Sequence, residues 1–264
     1  MVVGELECQG RLIQCRLVGE EREQGQKRLS GKRGPVKGFS RKSRRRLLDL
    51  CSSLDHKRIG LRKGQMFPAF LTLTYGATFP SGAESKRDLD SMLKWLERRS
   101  YGGCGIWRLE FQGRGAPHYH LILLGVSYIA KEKIQAAWNK IIKEDRVFTR
   151  IEGLQSAKQA MGYVAKYVAK VPEEGQAQCG FNLGPYSTAP STGRFWGVWQ
   201  RKNLPMASKV KLEVRAETFY ALRRVAARVR RWDELKRFKT FRVYGTAEAW
   251  VRLALYYEAR PLRI

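Results

Sequence analysis

Gly105-Ile106-Trp107-Arg108-Leu109-Glu110-Phe111-Gln112-Gly113-Arg114-Gly115-Ala116-Pro117-His118-Tyr119-His120-Leu121-Ile122-Leu123-Leu124 is the stretch on which the fold turns. Residues 105–111 read as one strand. Residues 118–125, an apolar run bounded by Pro117 and Gly125, read as a second, buried strand. Gln112 to Pro117 hold two glycines and a proline, the composition of a turn. A connection that short makes the strands antiparallel. Side chains alternate along a strand, so His118 and His120 project to one side and Tyr119 to the other. The hairpin brings Glu110 opposite the two histidines. Two neutral imidazoles and a carboxylate on one face can hold a divalent cation and leave positions open for water and a phosphate oxygen. Two plainer readings stay open beside it: histidines on a half-exposed strand, and an ion pair of Glu110 with Arg108 or Arg114.

The same periodicities extend outward. Residues 66–75 predict a strand, with Pro68 near its start. Residues 84–99 predict a helix, with Leu89, Met92, Leu93 and Leu96 at i, i+3, i+4 and i+7. After the hairpin come a helix over 130–143, a strand over 146–151 and a helix over 156–171. The order β-α-β-β-α-β, then a helix, predicts an α+β fold. It is that of a ferredoxin-like or RRM-like split βαβ with a central antiparallel sheet and flanking helices.

Beyond this core, residues 1–18 alternate as a hairpin would. Residues 19–38 have the Gly-, Lys-, Arg-, Glu- and Gln-rich composition of a linker. Ser40 is placed to cap a helix through Arg44, Arg45 and Arg46, whose cluster suits contact with phosphates. Residues 194–199 predict a strand, 215–239 a long basic helix, 240–244 a strand and 247–257 a closing helix. The expected division is a basic N-terminal extension over 1–64, a central domain over 65–200 and a basic, mainly helical C-terminal extension over 201–264.

Composition narrows the function classes. The 264 residues hold 51 Lys and Arg against 24 Asp and Glu, a formal charge of +27. That balance points to a polyanionic partner. No run approaches the 18 or so apolar residues of a spanning helix. Residues 1–10 lack the basic start and apolar stretch of a secretory leader. The five cysteines, Cys8, Cys15, Cys51, Cys104 and Cys179, form no Cys-x-x-Cys pair. They read as free buried thiols of a reducing interior. No Gly-x-x-x-x-Gly-Lys-[Ser/Thr] sequence is present, so no P-loop is expected.

A second motif lies on the helix over 156–171: Tyr163-Val164-Ala165-Lys166-Tyr167-Val168-Ala169-Lys170. At 100° per residue Tyr163, Lys166, Tyr167 and Lys170 share one arc, beside an apolar stripe containing Ala160, Val164 and Val168. The tyrosines read either as packing at the edge of the core or as nucleophiles whose phenolates a neighbouring lysine or metal would favour.

These motifs together resemble the HUH endonuclease superfamily, in particular the two-tyrosine type of rolling-circle replication initiator found in plasmids and phages. Phe70-Leu71-Thr72-Leu73-Thr74 matches the family's first strand motif. His118-Tyr119-His120 matches the His-hydrophobic-His motif, and Tyr163 and Tyr167 match the tyrosine helix. The resemblance covers about residues 66–171. It implies an endonuclease and strand transferase, with Tyr163 or Tyr167 as nucleophile and Lys166 stabilising charge. It implies His118, His120 and Glu110 as ligands of Mn²⁺ or Mg²⁺, with Zn²⁺ left open. Attack would leave a 5′-phosphotyrosine link and a free 3′-OH, and later rejoining would end replication. Lys170, Arg114, Arg44, Arg45 and Arg46 would contact DNA. The implied partners are single-stranded or hairpin origin DNA with a host helicase and polymerase, in the cytoplasm of a bacterial host. A transposase or mobilisation relaxase of the same superfamily shares these motifs. A rival of another class is a non-catalytic nucleic-acid-binding protein on an RRM-like sheet, which would display stacking aromatics where His118 and His120 stand.

Overall fold

The computed structural model describes residues 2–19, 39–59, 68–112, 114–145, 147–154 and 193–259. They form an α+β protein with two antiparallel sheets. The chain divides into two compact units. One comprises Met1–Gly31, Asp49–Asp55 and Met206–Ile264, the other Lys32–Leu48 and His56–Pro205.

The second unit holds β3 (Ala69–Leu73), α2 (Gly82–Glu97), β4 (Cys104–Phe111), β5 (Pro117–Leu124), α3 (Lys131–Ile142), β6 (Arg150–Gly153) and β7 (Trp196–Trp199). Its sheet has the order β6-β3-β5-β4-β7. Without the edge strand β7 this is fourth-first-third-second, the split βαβ arrangement that the element order predicts. β3 and β4 run parallel to each other with β5 antiparallel between them, so each helix crosses over a strand. One sheet face is apolar and backed by helix. Tyr119 reaches Ser85 of α2 by a 2.7 Å hydroxyl contact, and the indole of Trp138 in α3 donates to the Thr74 carbonyl. α2 starts two residues earlier than the apolar spacing suggests, because Ser81 and Glu84 form a capping box. β6 is shorter and later than the expected strand over 146–151. β3 offers it only the rungs Ala69↔Gly153 to Thr72↔Arg150.

The first unit holds β1 (Val3–Gln9), β2 (Leu12–Val18), β8 (Lys209–Arg215), α4 (Ala216–Arg230), β9 (Thr240–Tyr244) and α5 (Ala247–Ala259), with sheet order β8-β1-β2-β9. The β1–β2 turn has two residues, and only Gly10 takes positive φ (+59°). That is the pattern of a II′ turn. A Cβ there would come within 2.6 Å of the Ser52 carbonyl, so the position requires glycine. Leu6, Ile13, Phe219, Leu222, Phe241 and Trp250 build this unit's own core. The two chain ends, expected as separate extensions over 1–64 and 201–264, thus share one sheet.

The helix expected over 215–239 stops at Arg230. At 100° per residue Leu235 would fall off the buried stripe of Thr218, Leu222 and Ala226. Left-handed Arg231 ends the helix, a short 3-10 turn over Asp233–Arg237 follows, and Leu235 returns to the core. α1 (Arg41–Ser52) begins in the second unit, where Ser40 accepts from the Ser43 N–H as expected of a cap, and its last turn belongs to the first. Cys8, Cys15, Cys51 and Cys104 are buried free thiols, and burial pushes them up to between about 11 and about 12. No helix among the described residues is long and apolar enough to cross a membrane.

Candidate active site on the five-stranded sheet

Strand register assembles the site. β4 and β5 pair Glu110 with His118 and Arg108 with His120, while β3 places Thr72 beside His120. Alternation then puts all five side chains on the face of the sheet opposite Tyr119. The hairpin thus brings together His118, His120 and Glu110, as the spacing predicts.

Their surroundings are protein rather than water. Arg108, Glu110 and His120 are each less than 10 % exposed. Thr72 Oγ1 lies 3.2 Å from His120 Nδ1, and the His120 ring stacks on Phe70 with centroids 5.3 Å apart. With Thr72 accepting from Nδ1–H, the other nitrogen, Nε2, presents a lone pair; it lies 3.5 Å from Glu110 Oε2. Two acceptors at that separation need a positive charge between them or a proton on the ring. Glu110 Oε1 lies 3.2 Å from an Arg108 nitrogen, so one carboxylate faces a guanidinium and an imidazole at once. The His118 and His120 rings meet edge to face at 4.4 Å.

The donor set suits a divalent cation. Two atoms that share an ion at about 2.1 Å each stand roughly 3.4 Å apart in tetrahedral geometry, close to the separation of His120 Nε2 and Glu110 Oε2. The third ligand does not close the set as it stands: among the described residues no three His, Cys, Asp or Glu side chains group tightly enough to hold an ion. Arg108 also occupies one oxygen of Glu110. His118 would have to turn toward the pair to complete a site.

The other expected residues fall as follows. Arg114 donates to the carbonyls of Tyr75 and Gly76 and to Gln112 Oε1, so its guanidinium ties the β4–β5 turn to the segment after β3. Arg45 and Arg46 are exposed on α1 and Arg44 is half-buried. The start of α1 borders the site: Phe39 lies under the Arg108 guanidinium at 4.9 Å, and Ser43 accepts from the Trp196 indole at 2.9 Å. Tyr163, Lys166, Tyr167 and Lys170, and also Tyr186, lie outside the described residues. Thr72 is legible in the sequence as part of a strand but not as the partner of His120. That contact follows from β3 pairing with β5, which the element order implies once the split βαβ is accepted.

No curated protein and no solved structure matches the chain. Residues 68–172 match the family of the replication-associated protein ORF2. The segment from β3 through β6, with the histidine face and the tyrosine motif, is therefore similar to replication-associated proteins, consistent with a replication initiator.

Proposed function

We propose that this chain is a replication initiator of the HUH type that nicks one strand of its origin DNA through Tyr163 or Tyr167. The observation that carries the reading is His118, His120 and Glu110 on one face of a split βαβ sheet, inside the segment similar to replication-associated proteins. A divalent cation, Mn²⁺ or Mg²⁺, held by these three would supply Lewis acidity at a non-bridging phosphate oxygen. Thr72 holds His120 so that Nε2 faces Glu110. A tyrosine oxygen attacks the scissile phosphorus, the bond to the 3′ oxygen breaks, and that oxygen leaves and takes a proton. The product is a 5′-phosphotyrosine and a free 3′-OH. Lys166 offsets charge on the phenolate and phosphate. The diester exchange conserves bond energy, so rejoining by the reverse attack needs no nucleotide.

The RRM-like alternative fits less well. Its sheet would expose aromatic rings to bases, whereas Phe70 on this face is buried against His120.

The test is a labelled single strand spanning the origin, incubated with Mn²⁺ and run on a denaturing gel with peptide mapping of the adduct. His120→Ala should abolish nicking while keeping DNA binding, since phosphate contacts from Lys and Arg supply most of the affinity. Tyr163→Phe and Tyr167→Phe should each leave partial activity, and the double variant none. An adduct that survives the double change would move the nucleophile elsewhere, with Tyr186 the next to test.

A further inference from the structure

The end of α4 carries an exposed cluster of arginines and aromatic rings that the nicking chemistry does not use. The helix ends at Arg230, and Arg231 takes φ 50°. Glycine or asparagine usually fills that left-handed position, and another residue there is strained. The turn sends the chain away from the helix axis at Trp232, whose N–H donates to the Ala227 carbonyl at 3.0 Å. Trp232 is 38 % exposed and Phe238 46 % exposed, and their ring centroids stand 5.5 Å apart. The Arg230 guanidinium lies 5.6 Å from the Trp232 ring. Arg223 lies 4.9 Å from the ring of Tyr220, itself 37 % exposed, and donates to the Phe238 carbonyl at 2.9 Å. Arg224 and Arg228 are exposed on the same helix.

Cations at a helix C-terminus offset the macrodipole, which accounts for arginines there. It does not account for aromatic rings in water among them, which forgo burial worth about 25 cal/mol per Å². The open face of the same unit's sheet is different. There Glu7 pairs with Lys209 and Lys211, and Glu5 with Arg16, so cations and carboxylates offset one another. Rings interleaved with guanidinium groups are the chemistry that takes unpaired bases on the rings and phosphates on the cations.

We propose that Trp232, Phe238 and the surrounding arginines form a stacking platform for single-stranded DNA, separate from the nicking site. Bases stack on the two rings without sequence preference, and Arg224 and Arg228 neutralise the flanking phosphates. This goes beyond the nicking reading and does not depend on it.

The test uses the full chain with a labelled oligothymidylate of about 20 nucleotides, longer than the roughly 4–16 that one single-strand site spans. The strand is unrelated to any origin, and EDTA is present so that no cleavage occurs. Trp232→Ala with Phe238→Ala should weaken binding roughly 10- to 100-fold, because stacking contributes on the order of one decade per base. Trp232→Phe should retain most of the affinity. Arg224→Gln with Arg228→Gln should lower the slope of log affinity against log salt by about 1–1.5. A duplex of about the same length should lose less than about twofold on the double aromatic change. Thermal unfolding of each variant should match wild type, since these side chains are exposed. Unchanged oligothymidylate binding by the double aromatic variant overturns the proposal, as does an equal loss on duplex. Tighter binding of oligouridylate than of oligothymidylate would assign the platform to RNA and overturn it for DNA.

Discussion

The two sheets share an architecture and differ in what their polar faces do. In the four-stranded sheet β1 alternates strictly between buried and half-buried residues, and its open face carries solvent-exposed ion pairs such as Glu5 with Arg16. In the five-stranded sheet β4 and β5 are buried on nearly every residue, so Arg108, Glu110 and His120 lie together away from water. Exposed pairs of the first kind contribute about 0–1 kcal/mol each. A buried pair must recover several kcal/mol of lost hydration per ion, and hydrophobic replacements of the same volume often serve stability as well or better. The contrast separates a face whose charges keep a sheet edge soluble from a face whose charges are kept for chemistry.

The largest effect should come from breaking the buried group. Glu110→Ala leaves the Arg108 guanidinium buried without its carboxylate and should cost about 3–5 kcal/mol in urea unfolding. Arg108→Met with Glu110→Leu should restore most of that loss while nicking stays absent. Such a rescue would show that the pair is retained for function; a double variant as unstable as the single one would place its role in folding.

A smaller effect belongs to Lys86, on the helix-backed side of the five-stranded sheet. Its ammonium lies 4.1 Å from the Trp107 ring and donates to the Arg194 carbonyl at 2.6 Å. Burial pulls it down to about 7, below the ordinary lysine value near 10.4. Between those two values the unfolded chain binds the extra proton, so stability rises with pH from about 7 to about 10 and this group adds no slope below about 7. Lys86→Met should remove that rise. Unfolding midpoints of the two proteins, taken at intervals from about pH 6 to about pH 10, should diverge only above about 7, and parallel curves would contradict the assignment.

The smallest effect is expected at the exposed pair. Glu5→Ala should change unfolding free energy by no more than about 1 kcal/mol, and less in about 0.5 M salt. A loss comparable to that of Glu110→Ala would erase the distinction between the two faces.

Much of the central unit is legible in local pattern. Pro117 and Gly125 bound the apolar run, Leu89, Met92 and Leu96 set the face of α2, and His118 and His120 lie two apart. Each signal is carried by neighbours within a turn or a few rungs. The β4–β5 turn is short enough to fix the register Glu110↔His118, so the hairpin part of the site can be placed from the chain alone. Burial of that site cannot. Alternation assigns a face but not what covers it, and the ion pair of Glu110 with Arg108 is one of two open readings until both side chains are seen inside.

The sequence by itself determined the split βαβ order, the shared face of Glu110, His118 and His120, and the turn glycine at position 10, because each rests on the short-range geometry of the chain. The tertiary structure alone decided that β1 and β2 pair with β8 and β9 from the far end, and that Arg231 breaks a basic helix so Leu235 can reach a core. It also decided that Thr72 meets His120. Those contacts join residues whose partners are distant in sequence. Hydrophobic burial selects among them and is non-directional, so local periodicity carries no record of which partner is chosen.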